Sequence, residues 1–290
     1  MAIDSHIHLY PPSVSADPLA WAVTQNEPYW LSCVKPSHGK SLQAWKSPSE
    51  LLQDMDDAGV EKVVILSWYW ENHDSCLHTL NWQTEWLAKS PHRFICFAPF
   101  NAKGGNAALE LLKNAFQRGC KGIGELNPPA QGYAYEDPVL AQALELAAAY
   151  RAPVNFHVTD PTTHDYPGKI DTPYASLLNL ANEHPNTSFI FSHLGGCEPL
   201  RNREPPPNNV VFDTSACPLL YKTPVYREFC DKVGVDKILF GSDYPLRVFP
   251  KDKRSPNFIL PLAELQNGDL SPAEIEAITL QNAKRLFHLS

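Results

Sequence analysis

Short apolar runs recur along the whole chain, and most are separated by stretches with helical periodicity. The runs are AIDSHIHL (2–9), EKVVILSW (61–68), RFICFAPF (93–100), CKGIGELN (120–127), APVNFHV (152–158), TSFIFSHL (187–194), NVVFDTS (209–215) and KILFGSDY (237–244). Near-continuous runs of this length, rich in Val, Ile and Phe, suit strands covered on both faces, as in parallel sheets. Between them, SPSELLQDMDDAG places Ser47 at an N-cap, Pro48 at N1 and Glu50 at N3. That is a capping box, and Leu51, Leu52, Met55 and Ala58 then form one apolar face. ALELLKNAFQRG ends at Gly119, a C′ residue, while DPVLAQALELAAAYR and PYASLLNLANEH are amphipathic. The last pattern, SPAEIEAITLQNAKRLF, repeats the Ser-Pro-x-Glu start at Ser271, Pro272 and Glu274. After the sixth run, Pro205 to Pro207 forbid a regular helix.

Eight strands with mostly helical crossovers predict a (β/α)8 TIM barrel in the α/β class. A doubly wound sheet is the alternative, but it normally has fewer strands and often a Gly-rich phosphate turn after the first. Here the first strand runs into YPPSVSADP, which cannot make that turn. No low-complexity linker divides the chain, so a single domain over 1–290 is expected. The 10–46 segment is an insertion after the first strand, rich in Pro and carrying Trp21, Trp30 and Trp45. It is too long for a bare connector and is expected to fold as a lid over the barrel mouth.

In such a barrel the active site is built at the C-terminal ends of the strands. Strand one offers His6 and His8, strand four Glu125, strand five His157, strand six His193 and strand eight Asp243, each late in its run. Side chains two residues apart on a strand share a face, so His6 and His8 lean toward one region, with Asp4 below them. Each of the six has a packing explanation when taken alone. Together on one rim they form a set of imidazole nitrogens and carboxylate oxygens suited to a divalent ion: zinc first, manganese as the alternative. No cysteine joins the set, which points to a catalytic centre rather than a structural one. A catalytic ion lowers the pKa of water and polarises a carbonyl. Asp243 is the candidate base that takes the proton.

Composition narrows the partners. The 290-residue chain is 43% hydrophobic, enough for one large core, and its formal net charge is −8 with no basic stripe. This argues against nucleic acid and against an anionic membrane surface. The seven cysteines are scattered with no C-x-x-C, which suits a reducing compartment. Cys96 and Cys120 fall in predicted strands and are expected to be small core residues. The N-terminus lacks a basic region followed by an apolar run, so a cytoplasmic location is expected. A homo-oligomer is compatible with the sequence, but no interface can be read from it.

DSHIHLY, NFHV, FSHLGG and FGSDYP, in that order, resemble the amidohydrolase superfamily, and most closely its amidohydrolase-2 branch of metal-dependent barrel hydrolases, lactonases and decarboxylases. The likeness covers essentially the whole chain, including the closing EIEAITLQNAKRLF. It implies that His6, His8, His157 and Asp243 are metal ligands, and that His193 either binds a second ion or activates and orients the water. Binuclear members of the superfamily often carry a carboxylated lysine at the end of strand four. This chain has GIGELN there, so Glu125 would take the bridging place, as in the TatD-like branch, and one or two ions are compatible. Lys121 lies four residues earlier, too deep to serve.

The loops after the strands should line the pocket. SWYWENH offers Trp68, Tyr69, Trp70 and His73; TDPTTHDYPGK offers Asp160, His164 and Lys169; PLRVFPKDKR offers Arg247, Lys251 and Arg254. Aromatics with a few cations predict a small organic acid, a lactone or a ring bearing a carboxylate, with Arg247 as the carboxylate clamp. The leading expectation is hydrolysis of a lactone, ester or amide. Non-oxidative decarboxylation of an unsaturated or aromatic acid is the second, and a non-catalytic metal- or ligand-binding barrel the third.

Overall fold

The computed structural model describes residues 1–38, 40–252 and 254–289. Each predicted apolar run contains a strand: β1 (Ala2–His8), β2 (Val60–Leu66), β3 (Phe94–Ala98), β4 (Gly122–Leu126), β5 (Val154–Phe156), β6 (Phe189–Phe191), β7 (Val210–Asp213) and β8 (Ile238–Leu239). They form one eight-stranded sheet in sequence order, and every neighbouring pair is parallel. The seam between β1 and β8 is drawn together by Ser5 N–H donating to Phe240 O, Asp243 N–H to His6 O and His8 N–H to Tyr244 O, at 2.8, 2.9 and 2.8 Å. The sheet is therefore a nearly closed (β/α)8 barrel.

Alternating side chains divide the apolar residues into two layers. Ile3, Val64, Leu66, Ile95, Phe97, Ile190 and Leu239 form one cluster with Leu280, Ala283 and Phe287, so the closing helical segment seals the N-terminal end of the barrel. Val63, Ile65, Phe94, Cys96 and Phe212 belong to the larger cluster that also contains the helix residues Leu51, Leu112, Leu144 and Phe229. Both faces of the strands are thus dry, which is why they read as unbroken apolar runs. Cys96 is buried in β3; Cys120 is buried just before β4 begins.

The predicted helix starts hold. Ser47 and Glu50 form a full capping box at Pro48–Ala58, and Ser271 and Glu274 repeat it at Pro272–Glu276. Gly119, with φ +100°, follows helix Asn106–Gln117. The closing pattern is not one continuous α-helix. A π-turn over Ala277–Gln281 separates Pro272–Glu276 from Asn282–Leu286. Widening the helix there lets Ile278 O accept from Phe240 N–H at 3.0 Å, which ties the plug to β8.

The 10–46 segment contains three short helices, Pro12–Ser15, Pro18–Gln25 and Pro28–Val34. Its tryptophans are packed rather than displayed. Trp30 is fully buried, donates from Nε1 to Tyr10 Oη at 3.2 Å and sits 5.6 Å from the Trp70 ring; Trp21 stands 4.8 Å from Trp70. Two carboxylates fasten this segment to the chain after β2. Glu27 accepts from the N–H groups of Glu71 and Asn72, and Glu71 accepts from Tyr29 N–H at 2.7 Å. All seven cysteines are free. Among the described residues, no helix is long and apolar enough to cross a membrane.

Candidate metal centre

The polar ends of five strands meet at the C-terminal rim in two groups of three: His6, His8 and Asp243, and Glu125, His157 and His193. In the first, His6 Nε2 and His8 Nε2 lie 3.3 Å apart, and Asp243 Oδ1 is 3.7 and 3.8 Å from them. Glu125 Oε2 adds a fourth corner, 3.5 Å from His8 Nε2 and 3.9 Å from His6 Nε2. In the second, Glu125 Oε1 and His193 Nε2 are each 3.1 Å from His157 Nδ1 and 3.8 Å from each other. Ligands at about 2.0–2.1 Å around a tetrahedral ion stand roughly 3.3–3.4 Å apart. The separations of 3.1–3.9 Å in the two groups bracket that value, so the nitrogen and oxygen donors suit divalent ions. Glu125 turns one oxygen to each group. Lys121 is exposed at the far end of β4, consistent with its exclusion from the site.

Local backbone geometry explains how these side chains reach one place. Gly124, at φ +126°, would drive a Cβ to within 2.6 Å of Asn155 O, so only glycine allows β4 to lie this close to β5 just before Glu125. After β6, His193, Leu194, Gly195, Gly196 and Cys197 all have positive φ, between 53° and 60°. A left-handed residue other than glycine costs about 1–2 kcal/mol, so this turn must be held by its surroundings. Asp213, at the end of β7, supplies part of that hold by accepting from His193 N–H at 3.1 Å. Asp243 also has positive φ, 63°, and its N–H is bonded to His6 O.

The hydrogen bonds select tautomers. His6 Nδ1 faces Asp213 Oδ2 at 2.9 Å, so it donates there and leaves Nε2 for the centre. His193 Nδ1 donates to Ser215 O at 3.0 Å, which frees its Nε2 in the same way. Burial works against charge on these groups, yet the pairing prevails at several of them. Burial lowers His6, but the Asp213, Glu125 and Asp243 carboxylates raise it to about 10. Burial would raise Glu125, but the charges of His157 and His6 and the bonds from His157 and His8 hold it well below the usual carboxylate range. Asp213 likewise comes down to about 2, as the charge and hydrogen bond of His6 overcome its burial. Burial and the His157 charge push His193 down. Asp4, accepting from His6 N–H at 2.9 Å and Ser242 N–H at 3.1 Å, rises to about 7 because desolvation outweighs those bonds.

A cavity of about 680 Å³ opens over the centre and reaches His8, Glu125, His157, His193 and Asp243. Its walls include Cys33, Val34 and Leu42 from the segment after β1, Trp68 and Tyr69, and Leu219 to Tyr221. Trp68 and Tyr69 are stacked at 4.1 Å, and Tyr69 lies 5.4 Å from the His157 ring.

Several pocket expectations are corrected. Trp70 does not line the cavity: it is 1% exposed, packs among Tyr10, Trp21 and Trp30, and donates from Nε1 to Thr79 Oγ1 at 2.7 Å. Arg247 is exposed and outside the cavity wall; its backbone N–H, bonded to Leu42 O, makes the local contact. Arg254 pairs with Asp252 at 2.8 Å, and Lys169 bonds Thr163 O within its own loop. His73 and Lys251 also lie off the cavity, whereas Asp160 and His164 line it. Asp160 is already paired with Arg201 at 2.8 Å. Among the described residues the cation at the wall is Lys40, which the sequence did not single out, nor did it single out Asp213 or Ser215. Asp213 was findable: it ends the apolar run NVVFDTS in the same way that the other site residues end theirs.

No curated protein matches the sequence. Solved structures with the same fold include 2,6-dihydroxybenzoate decarboxylase from Rhizobium, 19% identical over 99% of this chain and 98% of that one, with a TM-score of 0.68. The 5-carboxyvanillate decarboxylase of Sphingomonas paucimobilis is 14% identical over 100% and 99%, with a TM-score of 0.74. That of Novosphingobium aromaticivorans, complexed with manganese and 4-hydroxy-3-methoxy-5-nitrobenzoic acid, is 16% identical over 100% and 96%, with a TM-score of 0.71. Identities this low speak for the fold alone. The family model described as amidohydrolase matches residues 3–289, and with the rim cluster in place over that whole span, the chain belongs to the amidohydrolase family.

Proposed function

We propose that the protein is a hydrolase that uses two divalent cations to open a lactone, ester or amide carbonyl of a small, largely apolar substrate. The observation that carries this reading is the Glu125 carboxylate, which offers Oε2 to the His6, His8 and Asp243 group and Oε1 to the His157 and His193 group. Divalent ions there would activate water and polarise the carbonyl. Glu125 fixes the spacing of the two groups. His6 and His193, with their other ring nitrogens engaged, keep their donor atoms aimed inward. Asp243 lines the cavity and presents Oδ1 to the two β1 histidines. It is the group placed to take the proton from attacking water and return it to the leaving group. The stacked Trp68 and Tyr69, with Cys33, Val34 and Leu42, suit a ring. Zinc is the preferred ion for a nitrogen-rich set, with manganese the alternative.

Metal-dependent decarboxylation of an aromatic acid is the second reading. It is favoured by the decarboxylases among the solved structures that share the fold, three of which contain manganese. Decarboxylation needs one ion to hold the acid and a protonated group to deliver H⁺ to the carbon that loses CO₂, a task that would fall to His157 or His193 at the cavity; hydrolysis is preferred because Glu125 offers one oxygen to each group. Elemental analysis together with product analysis separates the two. Two equivalents of metal per chain, with a lactone or ester converted to its acid and no CO₂ released, supports the hydrolase. One equivalent, with CO₂ released from a hydroxybenzoate, overturns it in favour of the decarboxylase.

A further inference from the structure

We infer that Asp213, which touches neither the cavity nor the ion-facing atoms, is the positioning residue that sets both ligand groups at once; the inference rests on the two-cation reading. Asp213 is fully buried at the end of β7, and its two oxygens are divided between the groups. Oδ2 accepts from His6 Nδ1 at 2.9 Å and from Asn155 Nδ2 at 3.3 Å. Oδ1 accepts from His193 N–H at 3.1 Å, from Ser215 N–H at 3.0 Å and from the Ser215 hydroxyl.

Each side of this division has a distinct consequence. On the His6 side, a carboxylate acceptor fixes the proton on Nδ1 and leaves the Nε2 lone pair facing His8 and Asp243. On the His193 side, the bond is to the backbone of the first residue of the left-handed turn. Ser215 completes the hold, its carbonyl taking the His193 Nδ1 proton and its hydroxyl lying 2.9 Å from the same nitrogen. His193 Nε2 is thereby aimed at His157 and Glu125. Asn155, from β5, locks the carboxylate plane and is itself braced by the Ser192 hydroxyl at 3.0 Å. A staple that only joined β7 to β6 would need one of these bonds. The observed set reaches one ligand of each ion and controls the donor atom of both.

The test compares the full-length wild type with Asp213→Asn and Ser215→Ala. The probe is Zn²⁺ alone, with its affinity at each site read by competition against a chromophoric chelator. The second readout is which ring nitrogen of His6 keeps the proton once ion-free protein is brought to a pH where only one ring proton remains, read by ¹⁵N NMR. Asp213→Asn is expected to weaken both sites by about 10–100-fold, the usual effect of losing a partner behind a ligand. It should also move the His6 proton off Nδ1. Ser215→Ala is expected to weaken the site containing His193 and leave the other within about threefold. A purely structural staple would lower the melting temperature of ion-free protein without altering either affinity. A folded Asp213→Asn protein with both affinities within threefold and the His6 tautomer unchanged overturns the inference. Should Asp213→Asn not fold, Ser215→Ala decides: selective weakening supports the inference, and two unchanged affinities overturn it. Wild type that takes up fewer than two ions defeats the two-cation reading instead, and the His6 tautomer in Asp213→Asn then decides the role of Asp213 alone.

Discussion

The two ligand groups on the rim share a carboxylate but differ in enclosure. His6, His8 and Asp243 gain a fourth corner from Glu125 Oε2, and His6 is completely buried. Glu125, His157 and His193 offer three donors, and the His157 side chain is 16% exposed at the cavity. Closed four-ligand sites hold ions structurally, whereas three-ligand sites keep a position for water or substrate. The difference teaches that one centre can divide its labour. On the proposed reading, the more enclosed group would anchor the shared carboxylate and present Asp243 to the cavity, and the more open group would leave a position for water or substrate.

The sharpest way to break this division is to remove what the groups share. Glu125→Gln is expected to lose both ions and to lower turnover by at least about 10²–10³-fold, the size found when one electrostatic group of a site is deleted. Elemental analysis and steady-state rates check it, and a variant that retains two ions would mean that Glu125 bridges nothing. Next in size, His157→Ala should empty the open site and keep one ion, whereas His8→Ala should disturb the enclosed one; metal counted per chain in each variant tells the two groups apart.

Protons sharpen the contrast further. His6, raised to about 10 in the ion-free cluster, carries its extra proton at neutral pH. An incoming ion must displace that proton, so affinity at the enclosed site rises with pH up to about 10, roughly tenfold per unit for each proton released. Calorimetric titration of Zn²⁺ in buffers of different ionisation enthalpy measures the release, and an absence of released protons at pH 7 would contradict the assignment. Smaller effects separate the cavity wall from the packing behind it. Trp70→Ala should cost about 3–5 kcal/mol in denaturant unfolding, while Trp68→Ala should act mainly on KM. Arg247→Ala should change stability by less than about 0.5 kcal/mol and leave KM unaltered.

Much of the fold was legible because of one physical circumstance. Strands dry on both faces read as unbroken apolar runs, so all eight could be located, and a histidine or carboxylate ending such a run stands out as a group whose burial needs a reason. The capping boxes at Ser47 and Ser271 were legible because capping is a local interaction. What remained hidden was set by direction in three dimensions. Trp68 and Trp70 are two residues apart in an irregular segment with no strand or helix period to say which one faces the cavity. Arg247 has the right chemistry for a clamp, yet nothing local reveals that its side chain points outward. The π-turn at Ala277–Gln281 answers a hydrogen bond from Phe240, which lies 38 positions before Ile278 and leaves no mark on the helical pattern.

The seam between β1 and β8 has a consequence for folding. His6 and His8 precede Asp243 by more than 230 positions, whereas Glu125, His157 and His193 fall within one central stretch. Long-range closure is the slow part of forming such a topology. The open trio therefore has its donors within reach of one another before the enclosed one does, and occupancy of the enclosed site would report that β1 and β8 have closed.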